Sequence, residues 1–248
     1  MLKQIIKNIL SALKLDLTKN LEYDRLTKEV IKKAVNLNSV CVDVGCHKGE
    51  ILDLIFSQSN QKHYAFEPIP EMNQNLKRVY GDRIHLFDCA LSNEEGETTF
   101  NHVKNAPAYS GIKERSYNVD KPDIEKINVK LQQLDNILEE QVKIDFIKID
   151  VEGAEFEVIV GFKDILQKHR PNLLVEILPV YESSSPRVGR QQAIEEILDE
   201  LGYYKYRILK DENNNFSSFE KIKLIGVHDR LDWCDYLFSP NAIGLNTN

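Results

Sequence analysis

From residue 39 onward, short apolar β-rich runs alternate with longer stretches of helical periodicity, an order that restricts the chain to a parallel sheet covered by helices on both faces. VCVDVG (40–45) reads as a buried strand, KGEILDLIFSQ as a helix, HYAFEP (63–68) as a strand, IPEMNQNLKRVYG as a helix and IHLFDCALS (84–92) as a third strand. The strands are continuously apolar rather than alternating, as expected where both sheet faces are covered. The rhythm resumes with IDFIKIDV (144–151), a helix over about 154–169, the strand NLLVEILP (172–179) and a helix over about 191–201. YYKYRIL and WCDYLFSP are short and aromatic-rich, which suits a closing strand pair.

Between these halves, residues 93–138 carry the turn formers Asn93, Gly96, Pro107, Gly111 and Pro122 around short alternating segments. This stretch predicts an insertion holding strands or a lid. A chain of 248 residues can bury one large core, and no repeat or low-complexity linker divides it. One domain is expected over 39–248, preceded by a helical appendage at 1–38. Within the appendage Leu2, Ile5, Ile6, Ile9, Leu10 and Leu13 recur at helical spacing, with Lys3, Lys7 and Lys14 among the other positions. That run falls short of the roughly 20 apolar residues of a bilayer span. Packing on the domain or on a second subunit, as a homodimer, is the expectation, and peripheral membrane contact is the alternative.

Charge narrows the partners. A net charge of -7 offers no broad cationic surface, which disfavours a general nucleic-acid binder. Cys41, Cys46, Cys89 and Cys234 form no CxxC pair and fit neither a zinc layout nor a disulfide framework, so they read as reduced thiols of a cytoplasmic protein.

Chemistry concentrates at the strand ends. The first strand closes in Asp43-Val-Gly45-Cys46-His47-Lys-Gly49, where glycines let a ligand approach the backbone, although a strand-to-helix junction also needs glycine for steric reasons. Cys46 and His47 stand where a dinucleotide binder needs another glycine, so pyrophosphate is disfavoured. Glu67-Pro68 ends the second strand 24 residues after Asp43, near the roughly 20-residue offset at which a carboxylate meets a ribose diol. A solvated strand cap is its ordinary alternative. At the third strand Asp88 precedes Cys89 and Ala90, where a carboxylate can accept from an exocyclic amine while a nearby backbone amide serves a ring nitrogen.

The ordered blocks DVGCHKG, YAFEPIPEMNQNL, CALSNEEGETTF, LQQLDNIL, DFIKIDVEGAEFEVIVG and RPNLLVEILP, over about residues 40–179, resemble the FkbM family of methyltransferases. The resemblance implies a class I Rossmann-like fold with a mostly parallel seven-stranded sheet and an insertion after the third strand. It also implies S-adenosyl-L-methionine as donor, S-adenosyl-L-homocysteine as product, and O-methylation of a sugar, glycan precursor or secondary metabolite. Asp43, Gly45 and Gly49 would surround the methionyl part of the cofactor, Glu67 would hold the ribose, and Asp88 with Cys89 would flank the adenine. Cys46 and His47 fall in a variable part of the glycine turn, where His47 can reach ligand.

Methyl transfer from a sulfonium is an in-line displacement, so the protein must align two reactants and remove a hydroxyl proton. Asp150, Glu152 and Glu176 leave the fourth and fifth strands towards one cleft and are the candidates for base, with Asp150 also beside the cofactor. Glu155 reads as a helix-start cap. Asp150 is one candidate ligand for a divalent metal, but the sequence shows no second and third, so metal is left unassigned. In the insertion Tyr109 and Ser110 are the expected acceptor contacts, and His102 reads as an ordinary strand residue. The alternatives are a small-molecule N-methyltransferase and an inactive scaffold that keeps the fold.

Overall fold

The computed structural model describes residues 19–114, 121–138, 141–213, 215–230 and 233–243. The amphipathic pattern at residues 2–13 lies outside them. In chain order the elements are α1 (Lys19–Ala34), β1 (Cys41–Val44), α2 (Glu50–Phe56), β2 (His63–Phe66), α3 (Pro70–Tyr80), β3 (Ile84–Phe87), β4 (Cys89–Leu91), β5 (Gly96–Val103) and β6 (Ile124–Gln132). There follow α4 (Leu134–Ile137), β7 (Phe146–Ile149), α5 (Glu155–Val160), α6 (Lys163–His169), β8 (Asn172–Glu176), α7 (Arg187–Glu200), β9 (Tyr204–Lys210), β10 (Phe216–Ile222) and β11 (Asp235–Ser239).

The main sheet runs β10-β9-β11-β8-β7-β1-β2-β3. Its five strands from β3 to β8 are parallel, while β11 is antiparallel to both neighbours and β10 to β9. Period-two alternation divides each central strand between two cores. Val42, Val44, Ile147, Ile149 and Val175 face α5, α6 and α7 through Val158, Ile159, Leu166 and Ile194. Cys41, Phe146, Leu174 and Leu237 face the other way, onto Val30 and Ile31 of α1 and Ile55 of α2. Val30 and Ile31 are fully buried, so this part of the N-terminal segment belongs to the sheet's own core. Among the described residues no helix is long and apolar enough to cross a membrane.

Three features depart from the sequence-based expectation. The main sheet has eight strands rather than seven, because Phe216–Ile222 adds a half-exposed edge strand whose polar FSSFEKI hides it from an apolarity criterion. The expected third strand breaks at Asp88: β3 stays in the main sheet, whereas β4 pairs with β6 in a second sheet ordered β4-β6-β5. Both halves are apolar and no turn former separates them, so the switch carried no signal. The expected helix over 154–169 is two helices: Phe162 leaves helical geometry, at φ -138, with its ring fully buried, and Gly161 before it packs where a Cβ would lie 1.9 Å from the Ser92 carbonyl oxygen.

Candidate active site

All five parallel strands end on one edge, the place where open α/β sheets bind ligands. There the chain leaves β1 through Gly45, whose φ of 85 suits glycine and where an added Cβ would sit 2.0 Å from the Asp150 carbonyl oxygen. The amides of Gly45 and Cys46 both donate to the Phe66 carbonyl, at 3.0 and 3.2 Å. His47, at φ 49, turns its N–H onto Glu67 Oε2 at 2.8 Å, and the Ile69 N–H donates to Oε1 at 2.8 Å. Glu67 is thus fixed by two loops and almost fully buried. Burial pushes its carboxyl up to about 7, against the pull of the two amides. Each oxygen accepts one of these amides and retains acceptor capacity for a ligand hydroxyl.

A cavity of about 580 Å³ opens at this edge. Gly45, Cys46, His47, Glu67 and Pro68 line it from the first two strand ends, and Cys89 and Ala90 from β4. Tyr109 and Ser110 line it from the insertion. The insertion is pinned there: Ser110 Oγ accepts the Val103 N–H at 2.9 Å, and Asn101 Nδ2 donates to the carbonyls of Gly111 and Ile112, each at 3.3 Å. His102 lies within β5, in register with Glu125 of β6.

Asp150, Glu152 and Glu176 complete the wall, and each brings an oxygen within 4.8 Å of the others. Burial, reinforced by the neighbouring Asp150 and Asp235 carboxylates and a hydrogen bond with Asp150, holds the Glu176 carboxyl well above its ordinary range. The Cys234 thiol donates to Glu176 Oε1 at 3.4 Å. Glu152 sits at φ 57, an uncommon backbone state for a residue with a side chain and one that clusters at functional sites. Glu155 turns away to accept the Gly153 N–H at 2.8 Å, at the start of α5.

Three expected residues do not line the cavity. Gly49 is packed beneath it, where a Cβ would meet the Tyr80 hydroxyl at 2.5 Å. Asp43 is buried behind the glycine turn with neither carboxylate oxygen hydrogen-bonded, and burial raises it to about 7. Asp88 stands at the strand switch, 72% exposed, with its carboxylate 3.2 Å from Lys130 Nζ on β6. The change of sheet turns its side chain to solvent and leaves Cys89 and Ala90 at the cavity.

Other lining residues carried no recognisable pattern in the sequence: Leu26 and Thr27 of α1, Ile208 and Lys210 of β9, and Asp235 of β11. Only Asp235, a charge ahead of the apolar YLF, left a visible trace. The same holds for the fully buried Lys148 inside FIKI, whose Nζ lies 3.4 Å from Asp235 Oδ1 and 3.8 Å from Asp150 Oδ2.

A mostly parallel sheet with antiparallel strands at one edge, and a glycine turn beside a buried carboxylate at one cavity, is the architecture of the class I methyltransferase fold. The family model described as Methyltransferase FkbM domain matches residues 43–208, and the chain belongs to that family. A solved FkbM methyltransferase from Methylobacillus flagellatus shares the fold with a TM-score of 0.50 at 17% identity, over 82% of this chain and 44% of that one. The 2-O-methyltransferase NoeI of Sinorhizobium fredii is 27% identical over 59% of this chain and 66% of its own length. Methyltransferase sdnD of Sordaria araneosa is 27% identical over 67% and 74%. The AMB antimetabolite synthetase AmbE of Pseudomonas aeruginosa is 24% identical over 67% of this chain, which spans only 10% of that much longer protein.

The family implies S-adenosylmethionine, and the residues present fit it. The Gly45–His47 turn lines the cavity beside the buried Glu67, whose two oxygens keep acceptor capacity for a diol.

Proposed function

We propose that the chain transfers a methyl group from S-adenosylmethionine to a hydroxyl of a small-molecule or glycan acceptor: a sugar, glycan precursor or secondary metabolite. The convergence of Asp150, Glu152 and Glu176 at the cavity carries this reading, because a hydroxyl must lose its proton as it is methylated. The 2-O-methyltransferase named among the relatives supports it.

In this reading Glu67 accepts from the ribose hydroxyls, the Gly45–His47 turn borders the methionyl part, and Pro68, Cys89 and Ala90 flank the adenine. The bound cofactor supplies an electrophilic methyl on a sulfonium. Asp150 would take the proton of the acceptor hydroxyl when that hydroxyl's oxygen displaces the thioether S-adenosylhomocysteine from the methyl carbon, while Glu152 and Glu176 would orient the hydroxyl-bearing ring. Tyr109 and Ser110 close over it from the insertion.

The test is transfer of labelled methyl to panels of hydroxylated glycosides and metabolites, run beside a panel of amines, with wild type and Asp150→Asn. Label in an alkali-stable ether, falling about 100-fold in the variant, is the expected result. Label in amines alone would reject the hydroxyl reading.

A further inference from the structure

An ammonium group in the middle of an apolar sheet is costly to bury unless it is paired. Lys148 is 0% exposed and shares its strand face with Phe146, which packs in the core beneath α1. Its register partner on β1 is Asp43, and Asp235 of β11 is in register with Glu176 of β8. Four carboxyl groups on four adjacent strands therefore share one lysine. Three of them, Asp150, Glu176 and Asp235, line the cavity, and Lys148 Nζ reaches Asp235 at 3.4 Å and Asp150 at 3.8 Å.

We propose that Lys148 is a positioning residue for methyl transfer: its ammonium clamps Asp150 and Asp235 at the cavity floor and so holds the Asp150 carboxylate in place for the acceptor's proton. This inference rests on the reading of Asp150 as base. The charged and titratable groups facing the cluster are Asp43 of β1, Glu152 beyond β7, Glu176 of β8, and Cys234 and Asp235 of β11, with Cys46, His47, Glu50 of α2, Glu67, Cys89, Tyr109 and Lys210 of β9 around the same cavity. One lysine cannot balance four carboxylates. Burial, with the Asp150 carboxylate adding to it, raises Asp43 to about 7 and holds Glu176 well above its ordinary range, and in both Lys148 opposes the rise.

The test compares Lys148→Met and Lys148→Arg with wild type by carbon-13 NMR of the side-chain carboxyls and by the pH profile of kcat on the acceptor found above. In Lys148→Met the Asp43 midpoint, about 7 in wild type, is expected to rise by one pH unit or more, and the acid limb of kcat to move up with it. Lys148→Arg restores both. Should Lys148→Met fail to fold, the same comparison is made between Lys148→Met/Asp235→Asn and Asp235→Asn alone. A folded variant with a lowered melting temperature but either readout unmoved overturns the proposal. The Asp43 midpoint is read without any acceptor, so it reports on Lys148 whether or not the hydroxyl reading holds.

Discussion

Replacing Glu67 by Gln separates what this carboxylate does for a ligand from what it does to the fold. In the folded protein Glu67 titrates near 7, against an ordinary value of 4.5, because burial penalises its charge. A folded-state pKa raised in this way means the native state holds the proton more tightly than the unfolded chain, so stability falls as pH rises from 4.5 through 7. Integrated from pH 5 to pH 8, that shift amounts to roughly 2–3 kcal/mol, and Gln does not titrate. Gln also carries a cost that is independent of pH. Both oxygens accept backbone amides, from His47 and Ile69, and the new NH2 group must face one of these donors, leaving it unpaired at about 1–3 kcal/mol. The variant is therefore expected to be less stable than wild type at pH 5 and to close that gap by roughly 2–3 kcal/mol by pH 8, read from urea unfolding at the two pH values. Calorimetry at pH 8 adds the other half. Gln offers one neutral acceptor and an NH2 donor where Glu67 offers two charged acceptors, at a cost of about 1 kcal/mol or more at each of two ribose hydroxyls, so affinity for S-adenosylhomocysteine should drop at least about 30-fold. A stability difference that stays constant with pH, or an unchanged affinity, would refute the argument.

Three further outcomes follow from local geometry. Gly45→Ala forces a methyl group onto the Asp150 carbonyl oxygen and into a left-handed backbone state, so calorimetry should detect no S-adenosylhomocysteine binding; retained affinity would show that the turn relaxes. Lys205→Met strands the buried Glu195, which lies 3.3 Å from Lys205 Nζ, and should cost about 3–5 kcal/mol, seen as a melting temperature roughly 10 °C lower. Asp88→Ala removes only an exposed ion pair with Lys130 and should leave S-adenosylhomocysteine affinity within about twofold. A tenfold loss would mean that the side chain swings into the cavity when ligand arrives.

Sequence and structure agree where an element is both apolar and bounded by turn formers. β1, β2, β7 and β8 were legible because both their faces are buried, and Gly45 and Glu67 because each ends such a strand. Asp150, Glu152 and Glu176 converge because register places the ends of β7 and β8 side by side. That Asp88 stands outside the cavity was not legible, because a strand that changes sheets keeps its apolar pattern across the switch. The contributions of α1 and β9 were invisible for another reason. Leu26, Thr27 and Ile208 look like ordinary packing residues, and only the folded topology brings them from opposite ends of the chain to one cavity.

Helix α1 has a double attachment: Val30 and Ile31 are anchored in the sheet's core while Leu26 and Thr27 wall the cavity. Docking of the helix and occupancy of the cavity are then two sides of one equilibrium. A molecule that touches this wall favours the docked helix, and whatever peels the helix away weakens the molecule's hold by the same factor. Saturating ligand should accordingly slow amide exchange along residues 26–35 as well as at the strand ends. The outer face of α1 thereby becomes a handle on ligand residence time, one that a partner could pull without entering the cavity.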